Sequence, residues 1–136
     1  MFIQNVSMKD IQTGRHFDAG WNSMLIQICD PAYEFPTPHD TFREVHQFEF
    51  LDIEEEDPWG EEFKITDAQA AELVRLLQHA LDERMNVIVH CHVGVCRSGA
   101  VCEVGVMMGF TDPEQYRQPN VMVKTKMMKA LGWTYE

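Results

Sequence analysis

The residues best placed for chemistry lie in Val87-Ile-Val-His-Cys-His-Val-Gly-Val-Cys-Arg-Ser-Gly-Ala100. A β-branched apolar run ends in Cys91, and Arg97 and Ser98 follow after five intervening residues. If the loop between them wraps, the backbone amides of His92, Val93, Gly94, Val95 and Cys96 form a concave anion site. A helix starting near Ser98 adds the positive end of its dipole. Gly94 permits a backbone conformation that a residue with a Cβ resists. Arg97 supplies a permanent charge in a fork that matches two oxygens of a phosphate. The same field favours the thiolate form of Cys91. One loop thus offers a nucleophile and a phosphate cradle, which suits phosphoryl transfer to sulfur through a phosphocysteine intermediate.

Three further groups follow from that chemistry. Ser98 is placed to donate a hydrogen bond to the Cys91 sulfur and ease its departure. His90, at the strand end, orders the loop through hydrogen bonds instead of acting as a base. The leaving oxygen needs an acid, and the acidic segment upstream can supply one. Asp52 ends a predicted strand and Asp57 precedes Pro58-Trp59. Either carboxyl reaches the leaving oxygen if the segment folds over the mouth of the site, and either can then activate water.

These groups need a scaffold. At 136 residues the chain is long enough for one domain with a real core and too short for two. Residues 24–29 read as a buried strand ended by Asp30-Pro31, and 31–40, with three prolines, as loop. Residues 45–53 read as a second core strand with Phe48 and Phe50 on one face. Thr66 with Gln69 forms a capping box. Leu73, Leu76, Leu77, Ala80 and Leu81 then recur at helical spacing. Residues 85–90 form a third strand, and 98–108 a central helix stopped by Gly109. Pro119-Asn120 opens a last helix running to about Leu131, with Val121, Met127, Met128 and Leu131 toward the core. Strands alternating with helices predict an α/β fold, a sheet covered by helices with the phosphate loop between a strand and a helix.

Composition narrows the function. The net charge of −11 argues against nucleic acid or an anionic membrane as partner. No apolar run reaches membrane-spanning length, and the N-terminus lacks the pattern of a signal peptide. Four cysteines without an export signal read as reduced and cytoplasmic. Asn5-Val6-Ser7 is then an idle glycosylation triplet. Cys29 and Cys102 read as core residues, and Cys96 as an idle small residue or, alternatively, as a reversible redox partner of Cys91.

His90-Cys91-x5-Arg97-Ser98 resembles the signature of the cysteine-based protein tyrosine phosphatases. The wider Val-His-Cys-x-x-Gly-x-x-Arg-Ser-Gly-Ala pattern is most similar to their dual-specificity branch. Phe50-Leu-Asp-Ile53 and Tyr116-Arg-Gln-Pro-Asn120 resemble small bacterial and phage members, and the resemblance spans roughly residues 23 to 132. It implies a central, mostly parallel sheet flanked by helices, no cofactor and no metal requirement. It also implies an acid about 30 residues before the cysteine. Asp57 fits that spacing, and Asp52 fits the strand-end context better. The implied substrate is a phosphorylated protein, at tyrosine and also at serine or threonine, or a small phosphate monoester.

Other readings compete. A pseudophosphatase would keep the cradle without turnover, yet both Cys91 and Arg97 are present. His90, Cys91, His92 and Cys96 offer four zinc-ligand types in seven residues, but neighbours on a strand face opposite sides. Sulfur-transfer and arsenate-reducing enzymes also use a loop cysteine, with shorter loops or an N-terminal cysteine. The sequence leaves the natural substrate and the oligomeric state open.

Overall fold

The structure, a computed structural model, describes residues 1–54 and 63–133. Four parallel strands form one sheet in the order β1-β4-β2-β3. They are β1 (Ile3–Val6), β2 (Ser23–Cys29), β3 (Glu44–Glu49) and β4 (Asn86–His90). The helices are α1 (Met8–Thr13), α2 (Asp67–Asp82), α3 (Arg97–Met108) and α4 (Val121–Ala130). The expected α/β architecture, a parallel sheet flanked by helices, is what forms.

Side-chain alternation along the strands divides the core. Met24, Ile26 and Ile28 of β2, with Val87 and Val89 of β4, join the larger apolar cluster with Leu73, Leu76 and Leu77 of α2. Val101 and Val104 of α3 and Val123 and Met127 of α4 complete that layer. The intervening Leu25 and Ile88 face the other way, against Ile11 of α1, Val6 and Phe42. Because both faces of β2 and β4 are covered, these strands read as continuous apolar runs. The α2 capping box forms as its sequence predicts. Thr66 Oγ1 accepts from Gln69 N at 3.0 Å, and Gln69 Oε1 accepts from Thr66 N at 2.9 Å.

The structure departs from the sequence expectation in three places. The segment 45–53 is not one strand: β3 ends at Glu49, and the Leu51 amide turns to the Phe63 carbonyl at 2.7 Å. Asp52 therefore sits in a loop three residues past the strand. In α4 Val121 is half exposed, and Met122 and Val123 are buried instead. Asn120 sets this phase by capping the helix, its Oδ1 accepting from Val123 N at 3.0 Å. Finally, β1 and α1 were not foreseen. Half of β1 is polar, and Gln4 and Asn5 are nonetheless buried. Gln4 is satisfied by the Phe17 amide at 2.8 Å.

That unforeseen turn from β1 into α1 bears directly on the loop after β4. Gly94 adopts φ +86°, and a Cβ there would clash with Ser7 N and Val6 C. The contact is backbone on backbone, so no side chain can swing aside. Gly94→Ala combines left-handed strain of about 1 kcal/mol with a clash that must move one of the two segments. The expected result is a fall in melting temperature of at least about 4 °C together with loss of phosphate binding. An alanine variant as stable and as competent as the wild type would show that the two segments do not meet this way.

Candidate active site

The loop from Cys91 to Arg97 bridges the C-terminal end of β4 and the first turn of α3. Parallel α/β sheets place ligands at that edge. Cys91 Sγ lies 3.2 Å from Ser98 Oγ and accepts the Gly94 amide at 3.2 Å. Both groups stabilise negative charge on sulfur, and both come from within seven residues of it. The N-cap position of α3 is Cys96, whose side chain makes no capping bond, and the first turn carries no acid. Its amides are thus left for an anion.

The loop is tied at several points. Met8 N donates to the His92 carbonyl at 3.1 Å, and Asn5 Nδ2 donates to the Gly94 carbonyl at 2.7 Å. Gln118 N donates to the Val95 carbonyl and Asn120 N to the Cys96 carbonyl, at 3.1 and 3.0 Å. Carbonyls are thereby turned outward to fixed donors, which leaves amides to face inward. His92 and Val93 are exposed at the lip of the loop, while Gly94 is buried and Val95 and Cys96 are half-buried.

Arg97 is buried, at 5% exposure. Its Nη1 donates to Asp30 Oδ1 and to the Phe50 carbonyl, both at 2.7 Å. The Nε is buried without a protein partner among the described residues. The guanidinium is thus anchored by one corner, with further donors left for a bidentate acceptor. Asp30 at the end of β2 is a site residue that sequence reading passed over as a strand terminus. The nearest sequence signal was a carboxylate at the C-terminal end of a central strand, where site residues collect. Asn5 was missed too: its triplet was read as a failed glycosylation acceptor, although a polar residue in a strand needs a partner.

A cleft of about 570 Å³ brings Cys91, Arg97, Asp30 and Asp52 together, with Leu51, Ile53, Val93 and Val95 as its apolar walls. Asp52 is held by Asn120 Nδ2, which also reaches the Ile53 carbonyl at 3.3 Å. Asn120 therefore both starts α4 and positions this carboxylate. Asp57 lies outside the described residues, as do Trp59 and most of the acidic segment. Burial pushes the Cys29 thiol up to about 11 and the Cys102 thiol up to about 12, and it raises Cys96 as well. All three are protonated at neutral pH. Among the described residues no three His, Cys, Asp or Glu side chains converge as a metal would require.

His90 is fully buried, with Nδ1 3.2 Å from the Cys91 carbonyl. Burial lowers its pKa from the usual 6.5 to about 4, so the ring is neutral and Nδ1 donates. A neutral ring under the loop is a structural prop. The unfolded chain takes up the proton first as pH falls, so stability is full above about pH 6.5 and declines toward pH 4. Over that window His90 accounts for about 3 kcal/mol. Urea unfolding across it is expected to show this slope, and a His90→Asn variant to flatten it. Equal slopes in the two proteins would mean that the imidazole is charged in the fold.

No family model matches the chain, and no curated protein matches it in sequence. Solved structures do match. Human DUSP28 superposes with a TM-score of 0.60 at 17% identity, covering 94% of this chain and 90% of that one. A mouse putative dual specificity phosphatase gives 0.55 at 16% identity, over 82% of this chain and 70% of that chain. OH1 of the Orf virus, described as a tyrosine phosphatase with triple substrate specificity, gives 0.53 at 14% identity, over 94% and 81%. The parallel sheet flanked by helices is that of the cysteine-based tyrosine and dual-specificity phosphatase fold.

Proposed function

We propose that this chain is a cysteine-dependent phosphatase, hydrolysing phosphate monoesters of phosphoproteins at tyrosine and also at serine or threonine. The observation that carries this reading is the setting of one sulfur. Cys91 Sγ lies within 3.2 Å of both a backbone amide and Ser98 Oγ, in a cleft it shares with a buried arginine. The fold neighbours, all described as phosphatases, support it.

In the proposed reaction the loop amides, the α3 N-terminus and the free edge of Arg97 bind the three terminal oxygens of the phosphoryl group. Asp30 and the Phe50 carbonyl hold Arg97 in place meanwhile. The Cys91 sulfur attacks phosphorus, the ester P–O bond breaks, and an acid delivers a proton to the leaving oxygen. Asp52 suits that role because it lines the cleft and is oriented by Asn120. Asp57 is the other candidate. In the second step the carboxylate takes a proton from water, which attacks phosphorus. The S–P bond then breaks, with the Ser98 hydroxyl donating to the departing sulfur. His90 backs the loop and takes no part in proton transfer. His92, Val93, Gly94, Val95 and Cys96 contribute backbone, so their side chains matter less than their turn.

Turnover of an aryl phosphate such as para-nitrophenyl phosphate is the first test. Vanadate is expected to block it, and Cys91→Ser to abolish it by more than about 1,000-fold while leaving phosphate binding intact. A serine variant working at the wild-type rate would overturn the proposal. The acid is identified by leaving-group dependence. Asp52→Ala is expected to lose about 100-fold or more on alkyl phosphates and far less on nitrophenyl phosphate. If Asp57→Ala shows that pattern instead, the acid is Asp57.

A further inference from the structure

The electrostatics of the cleft rim are out of keeping with a site for a dianion, and this points to what else the substrate carries. Arg97 is the one lysine or arginine lining the cleft among the described residues. Asp30 and Asp52 line it as well, and Glu54, next in the chain to the cleft residue Ile53, is exposed and accepts from the Val121 amide of α4 at 3.4 Å. Asp30 already offsets part of the Arg97 charge at 2.7 Å. Arg117, one residue before the cleft residue Gln118, is paired through its two Nη atoms with both oxygens of Asp112 and does not line the cleft. Along the sequence no lysine or arginine occurs from Glu44 through Glu54. The attraction for phosphate is thus concentrated at the cleft floor, in a guanidinium with an unpartnered buried Nε, while the rim repels anions. Additional phosphates or carboxylates on a substrate would meet Asp52 and Glu54 there, and Lys126, which shares a recess with Glu54, is already paired with Asp67 at 2.9 Å.

Aromatic surface accompanies the negative charge. Tyr33 is 60% exposed and lines a small recess with His92 and Asp30. Tyr116 is 75% exposed, two residues before the cleft residue Gln118. An open tyrosine ring next to a carboxylate, as Tyr33 is to Asp30, suits a lysine or arginine side chain, which gains from both the ion pair and the ring face.

We infer that this site selects singly phosphorylated peptides with lysine or arginine flanking the phosphorylated residue, and rejects polyanionic phosphates. The inference rests on the phosphatase reading of the same site. Cationic flanks would be steered to the rim before the phosphoryl group reaches the loop, which raises the association rate more than the chemical rate.

The test uses two phosphotyrosine peptides with one neutral backbone, one flanked by lysines and the other by glutamates, with para-nitrophenyl phosphate as a flank-free control. The lysine peptide is expected to exceed the glutamate peptide by about tenfold or more in kcat/KM at low salt, the gap closing near about 0.5 M salt. Glu54→Lys is expected to leave nitrophenyl phosphate turnover within about twofold and to cut the peptide ratio at least about threefold. Equal peptides, a preference for the glutamate peptide, or faster hydrolysis of an inositol polyphosphate would overturn the inference. So would a ratio that Glu54→Lys does not change. Failure on nitrophenyl phosphate itself would instead strike the phosphatase reading, so the two failures are told apart.

Discussion

The loop between β4 and α3 closes around an anion site because residue 94 has no side chain and presses against the turn from β1 into α1. The Gly94 position at φ +86° puts its amide on the Cys91 sulfur, and the same position leaves no room for a Cβ beside Val6 and Ser7. Everything else in the site is arranged around that contact. Asn5 takes the Gly94 carbonyl and Met8 takes the His92 carbonyl, so the outward half of each peptide is satisfied by the β1–α1 turn. The inward half is left for negative charge.

The second constraint is a buried cation. An arginine at 5% exposure needs compensation, and it receives a carboxylate from the end of β2 and a carbonyl from the segment after β3. Three consecutive spatial neighbours in the sheet, β4, β2 and β3, therefore converge on one guanidinium at their C-terminal ends. Parallel pairing makes this possible, since every strand delivers its following residues to the same edge. The departure of the chain from β3 at Glu49 has a purpose in this light. It frees the Phe50 carbonyl for Arg97 and lets the next residues carry Asp52 to the cleft.

Elements with strong local signals were legible in the sequence. The continuous apolar runs of β2 and β4, the Thr66–Gln69 capping box and the small apolar residues of α3 each declare themselves within a dozen residues. Cys91, Gly94, Arg97 and Ser98 were legible for the same reason, since one loop holds them all. What sequence reading missed depends on distant partners. Asn5 is 89 residues from the carbonyl it holds, and Asp30 is 67 residues from Arg97. The β1 strand was hidden because Gln4 and Asn5 break its apolar pattern, and their burial is intelligible only once Phe17 and Gly94 are in place. In α4 the sequence places Met127 and Met128 correctly in the core and misplaces only Val121, because the Asn120 cap turns Met122 and Val123 inward at the first turn.

The central claim is that the Cys91 sulfur accepts the phosphoryl group. It is tested most directly by trapping the intermediate: Ser98→Ala protein, which leaves the departing sulfur without its hydrogen bond, is mixed with an aryl phosphate, acid-quenched and mapped by mass spectrometry. The account predicts one phosphoryl adduct per chain, on the peptide containing Cys91 and on its sulfur. Substrate turnover with no adduct there, or with the adduct on His92 or another side chain, would contradict it.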